Sequence, residues 1–565
     1  MSKRCNDDEL SKSPPPKRTR TTEAGLQTDH LSSLSNEILL HILSFLPITS
    51  LLTCQRLSHR FHALAGDSEL WKRQYFSKWV RPRARRLAIT RRTSFPQSKF
   101  EYSPRVSTWL DHGHLDQNDR VTNWKRQYQL RHNWSKGTCR VTQVEIDQPP
   151  RPPMLVTLCA GYVFTADSHA GLRAWSVESP EKCKAGLSFV GSESQPPSAP
   201  TALTATYGPG KSSIEVVVGF DNGLFTVYRM DTTHLRLDVR FSRTSSAHGA
   251  ITAMAASYPY LMVVSKHMML SLYKLPFEAV DSAWSDEAHF IASLKADSIL
   301  SPMSLSVRLA GSEVIASIVY SFLHLGCGWS LGIQELHFDK SGQQTKSRLT
   351  TTVDTQYGVY LHRLPASSNG QISTPELESN VSPRANPIMP TILHQDPPTS
   401  VSYSHPYLLT SHADNTLTVY LVVSTSSSLF VKGGQRLWGH TSSVSTVQVS
   451  DRGKAVSVSS HGDEVRIWEL ETLISSFGSQ KVFQGDNSIK VKPENQWHLR
   501  DHEGTGLGLL PGMFHHDSRR AQLPSANMPR RMDRARDCIG FDDERLLLLR
   551  EKEYGSQLLE FYDFR

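Results

Sequence analysis

The stretch from Leu437 to Leu470 reads LWGHTSSVSTVQVSDRGKAVSVSSHGDEVRIWEL and contains three short apolar runs separated by polar residues. The runs lie at 444–449, 456–459 and 465–468. Each is rich in valine and alternates with small polar residues, a pattern typical of β-strands. The sequence His461-Gly462-Asp463 suits a tight turn between the second and third runs. The stretch therefore predicts three consecutive antiparallel strands.

The same order of strands and turns recurs along the chain. Clear copies lie at 155–177, 201–229, 247–275 and 400–420, and noisier copies lie at 302–338 and 537–563. Units of about 40–50 residues with a Gly-His start and a terminal tryptophan, here Gly439-His440 and Trp468, are typical of WD-type β-propellers. Because each unit can bury its faces only against its neighbours, the copies are expected to close radially. Residues 137–565 therefore predict an all-β, seven-bladed WD-type propeller.

The ends of the repeat region also give expectations. The last copy holds only three strands, and TCRVTQVEI at 138–146 is expected to supply its outer strand and close the ring. Three stretches rich in proline, serine and charge are expected to be long loops, at 178–199, 360–398 and 483–535.

Individual propeller residues have structural interpretations. His440 and Asp463 are expected to form a hydrogen-bonded pair within their repeat, and Trp468 is expected to pack between blades. A pocket for a phosphorylated substrate would need several converging arginines. Arg173, Arg229 and Arg466 lie in third strands of different blades, but the sequence does not show whether they converge. The substrate-binding residues are therefore left open.

A helical pattern occupies residues 29–76. Apolar residues of its first helix recur at steps of three and four: Leu34, Ile38, Ile42, Leu43 and Leu46. Ser35 can cap this helix and Pro47 ends it. A second helix is predicted between Ser50 and Gly66, and a short third helix follows. Three helices in fewer than 50 residues cannot close a generous core, so some apolar surface is expected to face a partner.

The flanking segments are polar. Residues 1–28 predict a disordered basic tail, in which Lys17, Arg18 and Arg20 form either a nuclear import signal or a solvated cluster. Residues 77–136 predict a basic linker whose last part, from Thr122 to Trp134, is helical.

Composition indicates an intracellular protein. The chain of 565 residues has a net charge of +8 and seven scattered cysteines, a spacing expected of reduced thiols in the cytoplasm and/or nucleus. The N-terminus does not resemble a signal peptide, and no apolar run approaches the roughly 20 residues needed to cross a bilayer. No membrane association is expected.

The block from Leu31 to Phe76 resembles the F-box, which docks onto the Skp-type adaptor of cullin ubiquitin ligases. The matching residues are Leu34, Asn36-Glu37, Ile38-Leu39, Ile42-Leu43, Phe45-Leu46-Pro47, Leu51-Leu52, Arg60-Phe61, Leu64 and Leu70-Trp71. Ser35 stands where the family usually has proline. The segment from Trp124 to Gly137 also resembles the connector of F-box proteins that carry WD repeats.

This resemblance implies the substrate-recognition subunit of an SCF (Skp–cullin–F-box) E3 ubiquitin ligase. The F-box would hold the adaptor and, through it, a cullin, and the propeller would hold an unknown protein substrate. The alternative is an ordinary small core, formed in part by Leu34, Ile38, Leu57 and Leu64. The adaptor-binding residues that the resemblance implies are Leu34, Ile38, Leu39, Ile42, Leu43, Leu46, Pro47, Leu51, Leu52 and Trp71.

Two other functions remain open from the sequence. The first is a scaffold that uses the propeller for protein assembly without ubiquitin transfer. The second, a nucleic-acid-associated propeller, would use basic segments such as the arginines between Arg81 and Arg92. The histidine pairs His112/His114 and His515/His516 have no other ligand at fixed spacing, so neither a metal site nor a cofactor is expected. Without a phosphate-binding glycine loop or a nucleophile motif, a non-catalytic subunit is expected.

Overall fold

The computed structural model contains two compact units. Among the described residues, the helical unit holds those up to Arg81 together with Asn123–Lys125, and the sheet unit holds the rest. The structure describes residues 31, 33–81, 122–146, 154–189, 198–209, 212–243, 249–276, 288–295, 300–339, 341–353, 392–425, 428–462, 464–470, 488–493, 534–551 and 557–565. Outside them lie the predicted tail at 1–28, both histidine pairs and most of the arginine-rich linker.

Within residues 33–81 the helical unit has four α-helices, followed by a π-helical turn, Phe76–Val80. The helices are α1 (Asn36–Leu43), α2 (Ile48–Cys54), α3 (His59–Ala65) and α4 (Ser68–Tyr75). The predicted second helix is therefore two helices. Ser58 divides them because its backbone is extended and its hydroxyl accepts a hydrogen bond from the Phe61 N–H at 3.2 Å, so it caps α3. Ser50 lies inside α2, since extended Pro47 is the residue that precedes that helix.

The core of the helical unit is small and apolar. It is built from Leu43, Leu51, Ala65 and Leu70, with Leu40, Leu46, Cys54 and Leu64 packed against it. The buried Trp71 donates its indole N–H to the Ala65 carbonyl at 2.9 Å, so the one polar atom of this side chain is satisfied.

The sheet unit contains seven sheets of four or five strands among its described residues. Blade 1 comprises β2 (Leu155–Cys159), β3 (Tyr162–Asp167), β4 (Gly171–Ser176) and β5 (Ser179–Leu187). Blade 2 comprises β6 (Pro200–Tyr207), β7 (Ser213–Phe220), β8 (Phe225–Asp231) and β9 (Arg236–Arg243). Blade 3 comprises β10 (Ile251–Ser257), β11 (Tyr260–Ser265), β12 (Met269–Lys274) and β13 (His289–Lys295). Blade 4 comprises β14 (Leu300–Ala310), β15 (Glu313–His324), β16 (Gly328–Phe338) and β17 (Gln344–Thr351).

The remaining blades follow the same order. Blade 5 comprises β18 (Ser400–Ser404), β19 (Tyr407–Ser411), β20 (Leu417–Ser424) and β21 (Leu429–Leu437). Blade 6 comprises β22 (Val444–Val449), β23 (Lys454–Ser459), β24 (Val465–Glu469) and β25 (Ser488–Lys490). Blade 7 comprises β27 (Arg534–Phe541), β28 (Arg545–Glu551), β29 (Gln557–Asp563) and β1 (Thr138–Ile146), with β26 (Lys492–Pro493) at its edge.

The blades form a closed ring. The first strands contact one another in the cycle β2, β6, β10, β14, β18, β22, β27 and back to β2, so they surround the axis. One apolar cluster fills each junction between adjacent blades, for example Phe164 and Val216 between blades 1 and 2. Each blade therefore buries its faces against its neighbours, as the repeat predicts.

Strand β1, which precedes blade 1 in the chain, completes blade 7 and closes the ring. β1 pairs antiparallel with β29 from Arg140↔Asp563 to Ile146↔Gln557, so residues 138–146 supply the outer strand of blade 7. This confirms the expectation for that segment.

The predicted loops are partly wrong. Residues 178–199 contain β5, the outer strand of blade 1, and 483–535 contain β25 and β26. An outer strand has one unpaired edge and much solvent contact, so its composition resembles that of a loop. From the predicted loop at 360–398, only 392–398 are described, and most of 483–535 lies outside the described residues.

A fifth helix, α5 (Trp124–Lys136), occupies the predicted helical part of the linker. In the sheet unit, Trp134 of α5 stacks on Phe564 with 3.8 Å between ring centroids, and Lys454 Nζ lies 3.8 Å from its centroid. Its indole N–H donates to the Asp543 carbonyl at 2.8 Å. These contacts fasten α5 to blades 6 and 7. No helix in the described part of the chain is long and apolar enough to cross a membrane.

Candidate functional site

Helix α1 carries two apolar stripes that lie side by side. Leu39, Leu43 and Leu46 follow one another at steps of four and three and turn towards the core, where Leu39 and Leu43 are fully buried. Ile38, Ile42 and Phe45 follow at the same steps one position earlier, and we call them the α1 stripe. Their exposed fractions are 50%, 40% and 68%. A helix that only covers its own core needs one such stripe, so the α1 stripe is a candidate docking surface.

Phe45 is exposed but held in position. It lies just past the end of α1, where the His41 ring meets it edge-on at 5.0 Å between centroids. The Arg73 guanidinium lies 5.7 Å from its centroid and donates to Ser44 Oγ at 2.9 Å. These contacts from α1 and α4 limit how far the ring can move, so its apolar face stays presented to solvent.

The start of α1 is tied to α3 by one arginine. Arg60 donates to Asn36 Oδ1 through Nε at 3.1 Å and through Nη2 at 2.8 Å. It also donates to the Leu34 carbonyl at 2.5 Å. These charge-assisted hydrogen bonds fix the helix that carries the α1 stripe.

The ten residues expected to bind the adaptor separate into three groups. Leu39, Leu43, Leu51 and Trp71 are buried in the unit's own core, Leu34 and Leu46 are half-buried, and Ile38, Ile42, Pro47 and Leu52 are exposed. The expected contact with an adaptor stays a prediction for all ten residues, but burial favours a supporting role for the four core residues because they have almost no accessible surface. They support the surface from behind.

The ten residues expected to bind the adaptor do not include three other exposed side chains. Phe45, Leu57 and Leu31 are large, apolar and exposed. The signal for Phe45 was present, since it completes the Ile38–Ile42 series at helical spacing. Leu57 lies in the turn between α2 and α3, where periodicity gives no information about burial.

In blade 6, His440 belongs to a buried internal network. His440 Nε2 lies 2.6 Å from Ser457 Oγ, which accepts a hydrogen bond from Trp468 Nε1 at 2.8 Å. His440 Nδ1 faces Glu464 at 3.4 Å, and Asp463 lies outside the described residues. Burial alone would raise the pKa of Glu464, but hydrogen bonds from Thr441 and Arg466 lower it to about 2. The network is buried and connects the loop before β22 with β23 and β24, which is a structural role.

The three arginines considered for a phosphate pocket are each paired within their own blade. Arg173 meets Asp167 at 2.8 Å, Arg229 meets Glu215 at 3.0 Å and Arg466 meets Glu464 at 2.8 Å. Glu215 and Glu464 are almost completely buried, so these pairs neutralise charge inside separate blades. In the described part of the chain, no cluster of three or more His, Cys, Asp or Glu residues could hold a metal ion.

Family comparisons match both units. Residues 31–77 match the F-box-like family, and residues 139–565 match the family described as the F-box protein pof12 β-propeller. The chain belongs to the pof12-type family of F-box proteins with a β-propeller. The prediction of a small α-helical F-box followed by a seven-bladed propeller is confirmed for this family member.

Two relatives of the pof12-type chain are curated F-box proteins. F-box protein pof12 of Schizosaccharomyces pombe (strain 972 / ATCC 24843) is 21% identical over 457 residues, which covers 78% of this chain and 84% of the relative. F-box protein dre-1 of Caenorhabditis elegans is 40% identical over 60 residues, only 11% of this chain and 6% of that protein. F-box and propeller domains of these families are typically non-catalytic adaptors.

Solved structures resemble the chain at low identity. BamB from Moraxella catarrhalis has a TM-score of 0.35 and 9% identity, with 75% of this chain and 99% of that chain covered. The Cps50 (Swd1) β-propeller domain of Myceliophteria thermophila has a TM-score of 0.37 and 10% identity, with the same coverage of both chains.

Proposed function

We propose that this protein is the substrate-recognition subunit of an SCF-type E3 ubiquitin ligase and is itself non-catalytic. The F-box would bind a Skp-type adaptor, which would bring a cullin, and the propeller would bind a protein substrate. The observation that carries the proposal is the α1 stripe, which lies exposed on a unit that is otherwise packed around its own core. The family membership of both units supports it.

The α1 stripe offers enough apolar surface for a stable contact. Burying one large aliphatic or aromatic side chain contributes about 1.5–3 kcal/mol. Ile38, Ile42 and Phe45 are each at least 40% exposed, and exposed Leu52 lies on the neighbouring helix α2. An apolar groove on the adaptor would match these side chains.

The test uses Ile42→Asp combined with Phe45→Asp in the full chain. Both side chains are exposed, so the double variant keeps the core of the helical unit. We expect it to lose co-purification with a purified Skp-type adaptor, because two carboxylates would be buried in an apolar contact. Leu46→Ala is a poorer probe, since half-buried Leu46 packs against the core and its loss would also unfold the unit.

Glu69→Gln is the matched control, because Glu69 is exposed and charged but lies in α4. Full adaptor binding by the Asp/Asp variant would overturn the docking assignment. If the wild-type chain binds the adaptor but recruits no cullin, the result would support a scaffold and contradict the role of a ligase subunit. Nucleic-acid retention that weakens steeply with salt would instead support the basic segments as the functional surface.

The substrate side of the proposal rests on the propeller. Its first strands surround a central axis, and rings of this kind present their connecting loops on two faces. The WD-repeat character is also proposed, and the His440–Ser457–Trp468 network of blade 6 supports it. Residence in the cytoplasm and/or nucleus, where SCF ligases work, follows from the same proposal and is tested by imaging the tagged full chain.

A further inference from the structure

The helical unit contains residues from beyond the F-box segment. Its described chain leaves the unit after Arg81 and returns at Asn123, and Asn123–Lys125 cluster with the F-box helices. Two of these returning residues, Trp124 and Lys125, make side-chain contacts with the unit. Composition predicted only a linker with a helical last part at residues 77–136, and it did not indicate this return.

Trp124 completes an aromatic cluster at the end of α4. Its ring is buried and lies 5.4 Å from Tyr75 and 5.5 Å from Phe76, measured between centroids. Trp79 of the π-helical turn lies 5.2 Å from Tyr75 in the same cluster. Without Trp124, the rings of Tyr75 and Phe76 would lose a buried aromatic partner.

Lys125 reaches a polar chain that leads into the F-box core. Its Nζ donates to Gln55 Oε1 at 2.7 Å, and Gln55 Nε2 donates to the Ala65 carbonyl at 2.9 Å. The same carbonyl accepts the indole N–H of buried Trp71, whose ring centroid lies 5.7 Å from Lys125 Nζ. Lys125 is thus linked to the end of α2, the end of α3 and the middle of α4.

These contacts matter because the unit is small. Its four helices have seven or eight residues each, lengths that are not stable in water without tertiary packing. Any side chain that covers the core from outside the F-box segment therefore contributes a large share of the unit's stability.

We infer that Trp124 and Lys125 are positioning residues of the adaptor-docking unit, so that the F-box of this chain is complete only when the chain returns at residues 123–125. They act on the α1 stripe through α2, α3 and α4. The inference rests on the proposed docking function for its binding readout. Its folding readout is independent of that function.

The experiment compares Trp124→Ala, Trp124→Phe and Lys125→Met in the full chain. Amide hydrogen exchange of α3 and α4 is measured together with the apparent Kd for a purified Skp-type adaptor. Trp124→Ala should expose both helices to exchange and weaken binding by about tenfold or more, since apparent affinity falls with the fraction of competent unit. Trp124→Phe should restore most of both quantities, and Lys125→Met should lie between the wild type and Trp124→Ala.

Trp438→Ala is the control, because Trp438 is 64% exposed on the sheet unit. Unchanged exchange of α3 and α4 in Trp124→Ala would overturn the inference, and so would equal loss of protection in the β-sheets, because Trp124 would then be required elsewhere. If the wild-type chain itself does not bind the adaptor, the proposed docking function fails, while the exchange measurement still decides the inference.

Discussion

At the scale of single residues, the hydroxyl of Ser457 forms hydrogen bonds with two buried side chains. It lies between His440 Nε2 and Trp468 Nε1, and all three side chains are almost inaccessible to water. In blade 1, Thr165 Oγ1 holds only one partner, accepting from Trp175 Nε1 at 3.1 Å. The two sites differ in how many polar groups a deletion would leave unsatisfied.

Ser457→Ala should therefore destabilise the propeller more than Thr165→Val. An unsatisfied buried polar group costs about 1–3 kcal/mol, so we expect about twice the loss of unfolding free energy for Ser457→Ala. Urea unfolding of the full chain, followed by tryptophan fluorescence, measures both. Equal losses would show that the His440–Ser457 contact contributes nothing.

His394 and His412 form a buried stacked pair with 3.8 Å between ring centroids and 4° between ring planes. Burial and the nearby Arg436 guanidinium lower the pKa of His394 to about 4, against the smaller opposing effect of Asp414. Burial and the neighbouring His394 ring, with Arg436, lower the pKa of His412 to about 3, again opposed by Asp414. Both rings are therefore neutral in the folded protein at neutral pH.

Folding stability should fall on acidification because of this pair. Between pH 6.5 and about 4 the unfolded chain binds protons that the folded rings exclude, so the contribution is complete above pH 6.5 and is lost as pH falls. Per histidine this is on the order of 2 kcal/mol between pH 7 and 4.5. Unfolding midpoints in urea across this range should change less steeply in His412→Phe than in the wild type. His289→Asn, at an exposed position, should leave the slope unchanged, and a His412→Phe slope equal to that of the wild type would refute the assignment.

At the scale of secondary-structure elements, several side chains fasten α5 to the ring, and Trp134 is the largest of them. Leu130 lies in the same apolar cluster, and Asn133 donates to the Phe564 carbonyl at 2.8 Å. Trp134 contacts Phe564 and Lys454 and donates to the Asp543 carbonyl, so it joins the helix to blades 6 and 7. It is also among the largest fully buried side chains of the chain. Its position beside β1 places it at the closure of the ring.

Trp134→Ala should destabilise the propeller strongly. Removing a buried tryptophan costs about 3–5 kcal/mol, and the expected result is early loss of protection in blades 6 and 7 in hydrogen exchange. Trp438→Ala makes the same change at an exposed position and should cost no more than about 0.5 kcal/mol. Similar unfolding free energies for the two variants would contradict the role of Trp134 in closure.

How well a strand could be predicted from the sequence depended on how deeply it is buried. Inner strands such as β23, with the sequence KAVSVS, are buried on both sides and are visible as valine runs. The outer strand β5, with the sequence SPEKCKAGL, is mostly solvent-exposed, so its composition predicted a loop. For the same reason the residues expected to bind the adaptor included Ile38 and Ile42 of the α1 stripe but not Phe45. Spacing identifies which residues share a helix face, but burial against α3 and α4 decides which face meets the core.

Other expectations depended on contacts that spacing does not encode. The carboxylate that faces His440 in the described residues is Glu464, and the expected pairing with Asp463 stays a prediction because Asp463 lies outside them. The return of Trp124 to the F-box helices left no local signal, since contacts between distant segments are not encoded in periodicity.

At the scale of the whole molecule, the cores of the two units are separate among the described residues. The apolar cluster of the helical unit contains side chains from Leu40 to Leu70, and the buried Trp124 packs at the end of α4. The seven junction clusters contain side chains from Leu130 onward. A change on the α1 stripe should therefore leave the propeller folded. If the proposed adaptor binding holds, this separation allows it to be removed without affecting the propeller surface.

The variant with Ile42→Asp and Phe45→Asp should consequently act as a substrate trap. If the protein is a ligase receptor, the variant retains the propeller, binds the same substrates and cannot present them for ubiquitin transfer, so substrates accumulate on it. We expect proteins enriched on the variant over the wild type in quantitative affinity purification, and longer half-lives for the same proteins in cells that express it. Glu69→Gln, which leaves the α1 stripe intact, should give the wild-type profile. A variant that loses the adaptor yet captures the same proteins at the same level, with unchanged half-lives, would point to a scaffold, because a scaffold does not consume what it binds.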